Sequence, residues 1–326
     1  MQRSVRLFAA AAIAGATFFN SASAQTSSSY PSKPITTMIG YTAGGLTDVM
    51  TRTLVERMSQ ELGQTVIVDN KPGAATSIAS ASVAQANPDG YTLLMGTTSL
   101  AINPALQPKL EPRDPITSLE PVGTAYFTPF TLLVRSDLPV NSLEEFVDYA
   151  RQNAGKLSVA SSGVGAVNHL LLELFKKEAD VDLMHVPYKG ASQALIDLRG
   201  GRIDATFATP LDAVPVAQTG DGRILAVTSA QPIDLLPDVP TVASTYPGVV
   251  GVFWQGLFAP AGTPVEVRDR LAAALRVATT DAALKESAAG RGVVFMPGGP
   301  EELRKQLADE TVMWGQIIRD AQIQAQ

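Results

Sequence analysis

The chain has 326 residues, a formal net charge of −6 at pH 7, two histidines and no cysteine. The absence of cysteine excludes disulfides, thiolate metal sites and a cysteine nucleophile, and two histidines alone argue against a zinc site. No basic cluster stands out against the acidic balance, which argues against binding to nucleic acid. An anionic ligand would have to be attracted locally, by backbone dipoles or a few side chains.

The N-terminal segment has the pattern of a secretory signal peptide. Arg3 and Arg6 precede an apolar run over residues 7–19, and small residues ending at Ala24 supply a cleavage site. We predict a signal peptide over residues 1–24, cleaved after Ala24, and export to the periplasm of a Gram-negative cell. The mature chain of about 300 residues is long for a single core and suits two lobes.

Strand and helix patterns alternate in the first part of the chain. Strands are predicted over residues 35–41, 65–68 and 91–96, and helices over residues 48–62 and 77–86. Three strands separated by two helices indicate a parallel sheet covered by helices.

The same pattern restarts after residues 104–121, which are rich in proline and charge and are predicted to form a surface excursion. Strands are then predicted over 131–135, 157–160, 183–186, 205–208 and 224–228, and helices over 142–153, 168–178 and 192–198. The chain returns with strands over 253–259 and 293–296 and helices starting at Pro264 and Pro300. Two such runs predict two similar lobes, residues 25–128 with 238–326 and residues 129–237, after the signal peptide.

A glycine-containing turn joins a strand to a helix in each run. The first has the sequence YTAGGLTD at 41–48 and the second has SSGVGA at 161–166. A helix N-terminus presents unpaired N–H groups and a partial positive charge, and glycine lets the backbone approach an anion closely. Ligands of open parallel sheets bind beyond the carboxyl ends of the strands, so we expect both turns to face one anion in a cleft. Taken singly, each turn is more typical of an ordinary tight connection, so the expectation depends on the pair.

Groups suited to catalysis are scarce. His185 lies within an apolar strand, which favours a structural role, whereas His169 could contact an anion or hydrogen-bond its own loop. No G-x-S-x-G elbow is present, and the carboxylates nearest the expected cleft, Asp48, Asp204 and Asp212, are interpreted as loop organisers. The sequence therefore predicts no enzymatic activity, no metal site and no cofactor.

Seven short motifs follow one another along the chain. They are YTAGG with Asp48, VDNKPGA at 68–74, PDGYTLL at 88–94, GVG with His169 and Leu170, HVPYKG at 185–190, LLPDVPT at 235–241 and WQGLFAPAGTP at 254–264. In this order they resemble the substrate-binding receptors of tripartite tricarboxylate transporters, also called the Bug family. Tyr41 stands where phenylalanine is common and Ala166 where serine is frequent, which bears on the identity of the ligand.

The resemblance implies an α/β periplasmic binding protein of type II, with two lobes, a central sheet flanked by helices in each, and a cleft between them. Receptors of this family capture small organic carboxylates and deliver them to a membrane carrier. Their glycine turns hold a ligand carboxylate through backbone amides and bridging waters, which here correspond to Thr42 to Gly45 and Gly163 to Ala166.

The ligand-binding residues expected on this basis lie at strand ends and in the two turns. They are Tyr41, Thr42, Ala43, Gly44, Gly45, Thr47, Asp48, Thr98, Ser99, Ser161, Gly163, Val164, Gly165, Ala166, His169, Thr209 and Asp212. The expected partners are a dicarboxylate, tricarboxylate, aromatic acid or acidic amino acid and the membrane subunits of the transporter, and the protein is expected to be a monomer. A chemosensory carboxylate receptor is an alternative, as is a secreted α/β hydrolase, against which the lack of a nucleophile–base pair counts.

Overall fold

A computed structural model describes residues 30–324 of the protein, which form two α/β lobes, each built on one sheet. The signal peptide predicted over residues 1–24 lies outside the described residues. In residues 30–324, no helix combines the length and apolar character needed to cross a bilayer.

The elements alternate along the chain as the sequence patterns predict. Up to the first crossing between the lobes they are β1 (Ile35–Ile39), α1 (Leu46–Leu62), β2 (Val66–Asn70), α2 (Ser77–Ala84), β3 (Thr92–Thr97), α3 (Ser99–Leu106), α4 (Pro115–Ser118) and β4 (Leu119–Pro129). The second lobe contains β5 (Thr131–Arg135), α5 (Leu143–Gln152), β6 (Ser158–Ser161), α6 (Val167–Ala179), β7 (Met184–Pro187), α7 (Ala191–Arg199), β8 (Ala205–Ala208), α8 (Pro210–Gln218) and β9 (Gly222–Val227). The chain ends with β10 (Val252–Pro260), α9 (Val265–Thr280), α10 (Ala282–Ala289), β11 (Val294–Gly298) and α11 (Pro300–Asp320).

The first sheet has six strands in the order β11-β4-β10-β3-β1-β2. β1 pairs in parallel with β2 and β3, and β10 lies antiparallel between β3 and β4. β11 forms the edge, antiparallel to β4. This sheet therefore combines strands from both ends of the described chain.

The second sheet has five strands in the order β7-β6-β8-β5-β9. β6 pairs in parallel with β7 and β8, while β5 lies antiparallel to β8 and β9. The carboxyl end of β6 therefore meets the N-terminus of α6 at one edge of the lobe, which is where ligands bind in sheets of this kind.

Two connections cross between the sheets, and hydrogen bonds join them to each other. Phe130 follows β4 directly, and its amide donates to Thr228 Oγ1 at 2.9 Å while its carbonyl accepts from the Thr228 amide at 2.9 Å. The Gly251 amide, just before β10, donates to the Thr228 carbonyl at 3.1 Å. The two crossings are thus hydrogen-bonded to each other, which makes them the expected position of a hinge.

The main difference from the sequence-based prediction lies at residues 104–121. The predicted surface excursion contains the end of α3, the short α4 and the start of β4, an 11-residue strand that pairs with both β10 and β11. Pro104 within α3 and Pro121 and Pro129 within β4 obscure the sequence pattern, because proline removes a backbone donor. The other predicted strands and helices are found within a few residues of their expected bounds.

Local sequence signals account for several element boundaries. Ser142 caps α5, since its Oγ accepts the Glu145 amide at 3.1 Å, and the Glu145 carboxylate accepts the Asn141 amide at 2.6 Å. The first bond satisfies an amide that an isolated helix end would leave unpaired, and the second holds the residue before the cap against the first turn. α1 ends at Gly63 in the left-handed conformation, with φ +68°.

Candidate functional site

A cavity of about 430 Å³ lies in the cleft between the two lobes. Helix α3 and the segment after β1 form its wall on the first lobe, and the turn between β6 and α6 forms its wall on the second. Its lining residues are Tyr41, Ala75, Ser99, Ile102, Asn103, Leu106, Gln107, Phe130, Ser162, Gly163, Val164, Gly165, Ala166, Val167, Asn168, Thr209 and Phe253. Strand ends and helix N-termini meet here, as in other ligand sites of open sheets.

The turn after β6 presents backbone amides without a protein acceptor in residues 30–324. They belong to Val164, Val167 and Asn168, all of which line the cavity. Val167 and Asn168 open the 13-residue helix α6, whose dipole adds a partial positive charge at this end. The Gly163 amide is already used, since it donates to Ser161 Oγ at 3.2 Å. The turn therefore offers several donors to an anion at one place.

Two stacked histidines hold this turn in place. The rings of His169 and His185 lie nearly parallel, with centroids 3.7 Å apart. His169 Nδ1 accepts the Gly165 amide at 3.0 Å, and His185 Nε2 lies 2.6 Å from Ser161 Oγ. Burial lowers the pKa of both imidazoles to about 4, so both are neutral at pH 7. Of the two roles considered for His169, the hydrogen bond to its own loop is the one observed.

The Ser161–His185 contact is a nucleophile–base pairing that the sequence did not reveal. The Ser161 side chain is fully buried, and its Oγ also lies 3.1 Å from the Gly163 carbonyl oxygen. Within residues 30–324, no carboxylate hydrogen-bonds His185 to orient it, and its lowered pKa makes it a weak base at pH 7. The geometry fits a structural hydrogen bond that supports the turn.

The Asp48 carboxylate holds the turn after β1 in place through hydrogen bonds. Its Oδ2 accepts the Gly44 amide at 2.9 Å, and its Oδ1 accepts from Arg52 Nε and Asn70 Nδ2 at 3.0 Å each. Asn70 Nδ2 also donates to the Tyr41 carbonyl at 3.0 Å, which joins the turn to the end of β2. Asp48 is 4% exposed and does not line the cavity, so its contacts fit the role of a loop organiser.

We expect Asp48→Asn to lower the free energy of unfolding by roughly 2 kcal/mol at pH 7, because hydrogen bonds to a charged group are lost or weakened. The Arg52 hydrogen bond, then those of Gly44 and Asn70, lower the pKa of Asp48 to about 2, against burial, which raises it. The carboxylate therefore stabilises the fold above the ordinary pKa near 4, and this contribution is lost as the pH falls towards 2. Urea unfolding at several pH values should show the difference between the two proteins shrinking below pH 4. A difference that stays constant down to pH 2 would contradict this assignment.

The exposed part of the first turn lies outside the cavity lining. Thr42, Ala43, Gly44 and Gly45 are exposed, and only Tyr41 of this turn lines the cavity. The Tyr41 ring packs edge-on against Phe253 at 6.1 Å, and its hydroxyl lies 3.5 Å from Thr97 Oγ1.

The other residues expected at the site divide into lining and supporting groups. Ser99 and Thr209 line the cavity. Thr98 is fully buried and its hydroxyl bonds the backbone of β10, and Thr47 is also buried outside the lining. Asp212 lines a small recess beside the cavity and accepts the Thr209 hydroxyl at 2.8 Å.

Part of the lining was not anticipated from the sequence. Ala75 belongs to a segment, Ala74–Thr76, in which three successive residues have positive φ values of 45°, 49° and 74°. Such a path costs non-glycine residues about 1–3 kcal/mol each. Asn103 Nδ2 donates to the Ala75 carbonyl at 2.9 Å and supports this path. No short motif marks these residues, because they reach the cleft through packing.

The cavity lining carries no charged side chain in the part of the chain that the structure describes. Its polar groups are hydroxyls, side-chain amides and the backbone amides of the second turn. Residues 30–324 also contain no cluster of three or more histidine or carboxylate side chains able to hold a metal. Recognition of an anion here would depend on dipoles.

A larger cavity of about 550 Å³ lies near the crossings, between residues 229–235 and strand β11. Its walls are mostly aliphatic and aromatic, among them Phe127, Ile233, Val252 and Met296. Its lining includes Lys285, Asp234 and the turn residue Gly292, but neither a helix N-terminus nor a glycine turn that leads from a strand into a helix, among the described residues. The cleft cavity is therefore the better candidate for an anionic ligand despite its smaller volume.

Comparison with known proteins places the chain in a family. A family model described as "Tripartite tricarboxylate transporter family receptor" matches residues 50–323. A UPF0065 protein of Bordetella pertussis is 34% identical over 307 residues, which cover 94% of each chain. The protein BugT of the same organism is 31% identical over 294 residues, which cover 89% of this chain and 90% of BugT.

Two solved structures share both the fold and much of the sequence. The periplasmic binding protein BugD is 33% identical with a TM-score of 0.72, over 91% of this chain and 100% of BugD. Rpa4515 of R. palustris, solved with adipate, is 31% identical with a TM-score of 0.76, over 90% of this chain and 99% of Rpa4515. These matches, together with the two-lobed fold and its cleft, show that the chain belongs to the tripartite tricarboxylate transporter receptor family.

Proposed function

We propose that this protein is a periplasmic solute-binding receptor that captures a small organic carboxylate between its lobes for a tripartite tricarboxylate transporter. One observation carries the proposal: the backbone amides of Val164, Val167 and Asn168 have no acceptor within residues 30–324. All three residues line a cavity that has no charged side chain in its described lining. Adipate in the related Rpa4515 supports a carboxylate as the ligand class.

The moving bodies would be the two lobes, residues 25–128 with 238–326 and residues 129–237, hinged at the bonded crossings around Phe130 and Thr228. Closure would bring Tyr41 and α3 towards the turn after β6, enclosing the ligand. Small-angle scattering tests this, since a saturating ligand should reduce the radius of gyration. An unchanged radius would argue against closure.

The export route and the partners complete the proposal. The leader over residues 1–24 would direct the chain to the periplasm, and the mature monomer would dock on the membrane subunits of the carrier. Mass spectrometry of the periplasmic fraction should find a chain beginning at Gln25. Retention of residues 1–24 would refute the export prediction.

A carboxylate that binds the cleft is expected to raise the thermal stability of the protein. At a concentration of about 100 times Kd, binding adds roughly 2.7 kcal/mol to the free energy of unfolding. A thermal-shift screen over dicarboxylates, tricarboxylates, aromatic acids and acidic amino acids measures this. A complete panel without any shift would argue against the receptor.

The Ser161–His185 contact makes a secreted hydrolase the second candidate. The buried serine, the weakly basic imidazole and the missing orienting carboxylate in residues 30–324 count against it. Incubation of the pure protein with activated esters decides the question. Turnover that is lost in Ser161→Ala would favour the hydrolase.

A further inference from the structure

The larger cavity of about 550 Å³ near the crossings, here named the hinge cavity, has walls from both sheets. One wall is the segment 229–235, which follows β9 of the second sheet, and the other is β11, the edge of the first sheet. Within residues 30–324, its lining shares no residue with that of the cleft cavity. Its volume falls in the range of about 300–1,000 Å³ that is typical of small-molecule sites, so it is large enough for a ligand of its own.

The hinge cavity lies directly against the bonded crossings. Ser229 of its lining follows Thr228 in the chain, and Val250 and Val252 stand on either side of Gly251. Thr228 Oγ1 lies 2.6 Å from the Gly251 carbonyl oxygen and so joins the two parts of the wall. A change of the hinge angle would therefore move the walls of this cavity relative to each other.

The chemistry of the lining favours an uncharged ligand. Apolar side chains form most of the wall, and the Ser229 hydroxyl already donates to the Gln231 carbonyl at 2.6 Å. Asp234 and Lys285, the two charged side chains of the described lining, are exposed and opposite in sign. A charged group that entered the apolar part would lose its hydration without a buried partner, which is costly. The cavity therefore suits a molecule with a mainly apolar body.

Two direct contacts connect the hinge cavity to the cleft cavity. Val252 and Phe253 are neighbours in β10, and successive strand residues point to opposite faces, so Val252 lines the hinge cavity and Phe253 the cleft cavity. Gly292 of the hinge cavity packs on Pro210, where an added Cβ atom would lie 2.5 Å from the Pro210 Cβ atom. Pro210 follows Thr209, which lines the cleft cavity.

We propose that the hinge cavity is a second ligand site, which takes an uncharged and mainly apolar small molecule and adjusts the carboxylate affinity of the cleft. A molecule that packs against both walls favours the hinge angle at which those walls fit it, and a carboxylate favours the angle that closes the cleft. Because both ligands act on one equilibrium, each changes the affinity of the other by the same factor. The second site is independent of the proposed function, whereas its effect on the cleft rests on that function.

Three eight-carbon probes test the chemistry of the site by calorimetry on the mature chain. Octanol is uncharged, octanoate is an anion and octylammonium is a cation, and all three have the same apolar chain. We expect octanol to bind about tenfold more tightly in the hinge cavity than either ion, since an ion loses hydration on entry. Equal or tighter binding of an ion there would overturn the uncharged class.

Ala230→Trp identifies the binding that belongs to the hinge cavity. Ala230 is exposed in the loop after β9 and lines the cavity, so the indole ring fills the space without displacing a buried side chain. Ala283→Trp is the matched control, because it adds the same ring at an exposed position of α10 outside the lining. We expect Ala230→Trp to weaken octanol binding at least about tenfold and Ala283→Trp to leave it within about threefold. Only binding that Ala230→Trp removes is assigned to this cavity, since octanoate is also a carboxylate for the cleft.

The effect on the cleft is measured with the tightest acid of the carboxylate panel. Saturating octanol should change the Kd of this acid at least about threefold in the wild type and leave it unchanged in Ala230→Trp. If octanol binding persists in Ala230→Trp, the site is wrong. If that binding is lost but octanol never alters the Kd of the acid, the effect on the cleft is wrong. If no acid of the panel binds, the proposed function fails, and the octanol titration alone decides the second site.

Discussion

Replacing Gly165 with valine is expected to abolish detectable carboxylate binding while the protein stays folded. Gly165 has φ +77°, a conformation that costs a β-branched residue about 1–3 kcal/mol. A Cβ atom there would also overlap the Leu106 Cδ2 atom and lie 3.3 Å from Leu106 Cγ. Leu106 belongs to α3 on the other side of the cleft, so the added side chain would separate the lobes where they approach each other. Calorimetry with the tightest acid of the panel measures the loss, and circular dichroism checks the fold.

Gly44→Val is the matched control for this substitution. Gly44 also has a positive φ, +87°, but no atom lies within 4 Å of the position of its Cβ, and it is exposed outside the cavity lining. We expect this variant to lose only a few-fold in affinity. A double variant, Gly165→Ala with Leu106→Ala, should recover part of the binding that Gly165→Ala loses. If Gly44→Val and Gly165→Val lose binding equally, backbone strain and not the contact across the cleft is the cause.

His169→Phe is expected to weaken binding by between ten- and a hundredfold, although the side chain does not line the cavity. The phenyl ring preserves size and stacking against His185 but removes Nδ1, the acceptor of the buried Gly165 amide. An unsatisfied buried donor costs about 1–3 kcal/mol, which the turn would relieve by changing its shape. His169→Asn places an oxygen near the position of Nδ1, so it should retain affinity within about threefold. Equal losses in both variants would show that stacking, and not the acceptor, supports the turn.

The pH dependence of stability gives a second measure of the histidine pair. Burial lowers the pKa of His169 and His185 to about 4, with Lys176 and, for His185, the neighbouring His169 acting in the same direction and Glu173 opposing. The unfolded chain therefore binds more protons between pH 4 and the ordinary value of about 6.5, so stability falls as the pH drops through this range. His169→Phe removes one of the two titrating groups, so its free energy of unfolding should change less steeply with pH between pH 4 and 6.5. A variant whose free energy of unfolding changes as steeply as that of the wild type in this range would contradict the assignment.

Much of the fold follows from the sequence because its alternating patterns are local. The strand–turn–helix units around the two glycine turns have strong apolar periodicity, so their order and the two-lobed division were predictable. β4 was not predictable in the same way, since Pro121, Gly123 and Pro129 interrupt its pattern and its 11 residues are stabilised by pairing with β10 and β11. Strand pairing between distant parts of the chain does not show in the local sequence pattern.

The residues of the site also divide into those that local sequence patterns predict and those that depend on packing between distant elements. The turn residues from Gly163 to Ala166 were predictable, because a strand end followed by glycine and a helix start is a local pattern, and they line the cavity. Ala75, Asn103 and Phe253 depend on how separate elements pack, and Ala75 reaches the cleft by a left-handed path that its residue types do not favour. The sequence left two roles for His169, contact with an anion or a hydrogen bond to its own loop. Only the fold shows the hydrogen bond, which holds the Gly165 amide.

The uncharged lining of the cleft has a consequence for the surroundings in which the protein works. Salt largely screens the attraction between exposed ions that lie more than a Debye length apart, about 8 Å at physiological ionic strength. Short hydrogen bonds from backbone amides inside a closed cavity are screened far less. A ligand held by such amides, with no lysine or arginine lining the cavity in residues 30–324, should keep nearly the same affinity as external salt rises and falls. In a compartment whose salt concentration follows that of the medium, a receptor built on dipoles would keep its affinity, whereas one built on surface cations would lose affinity at high salt.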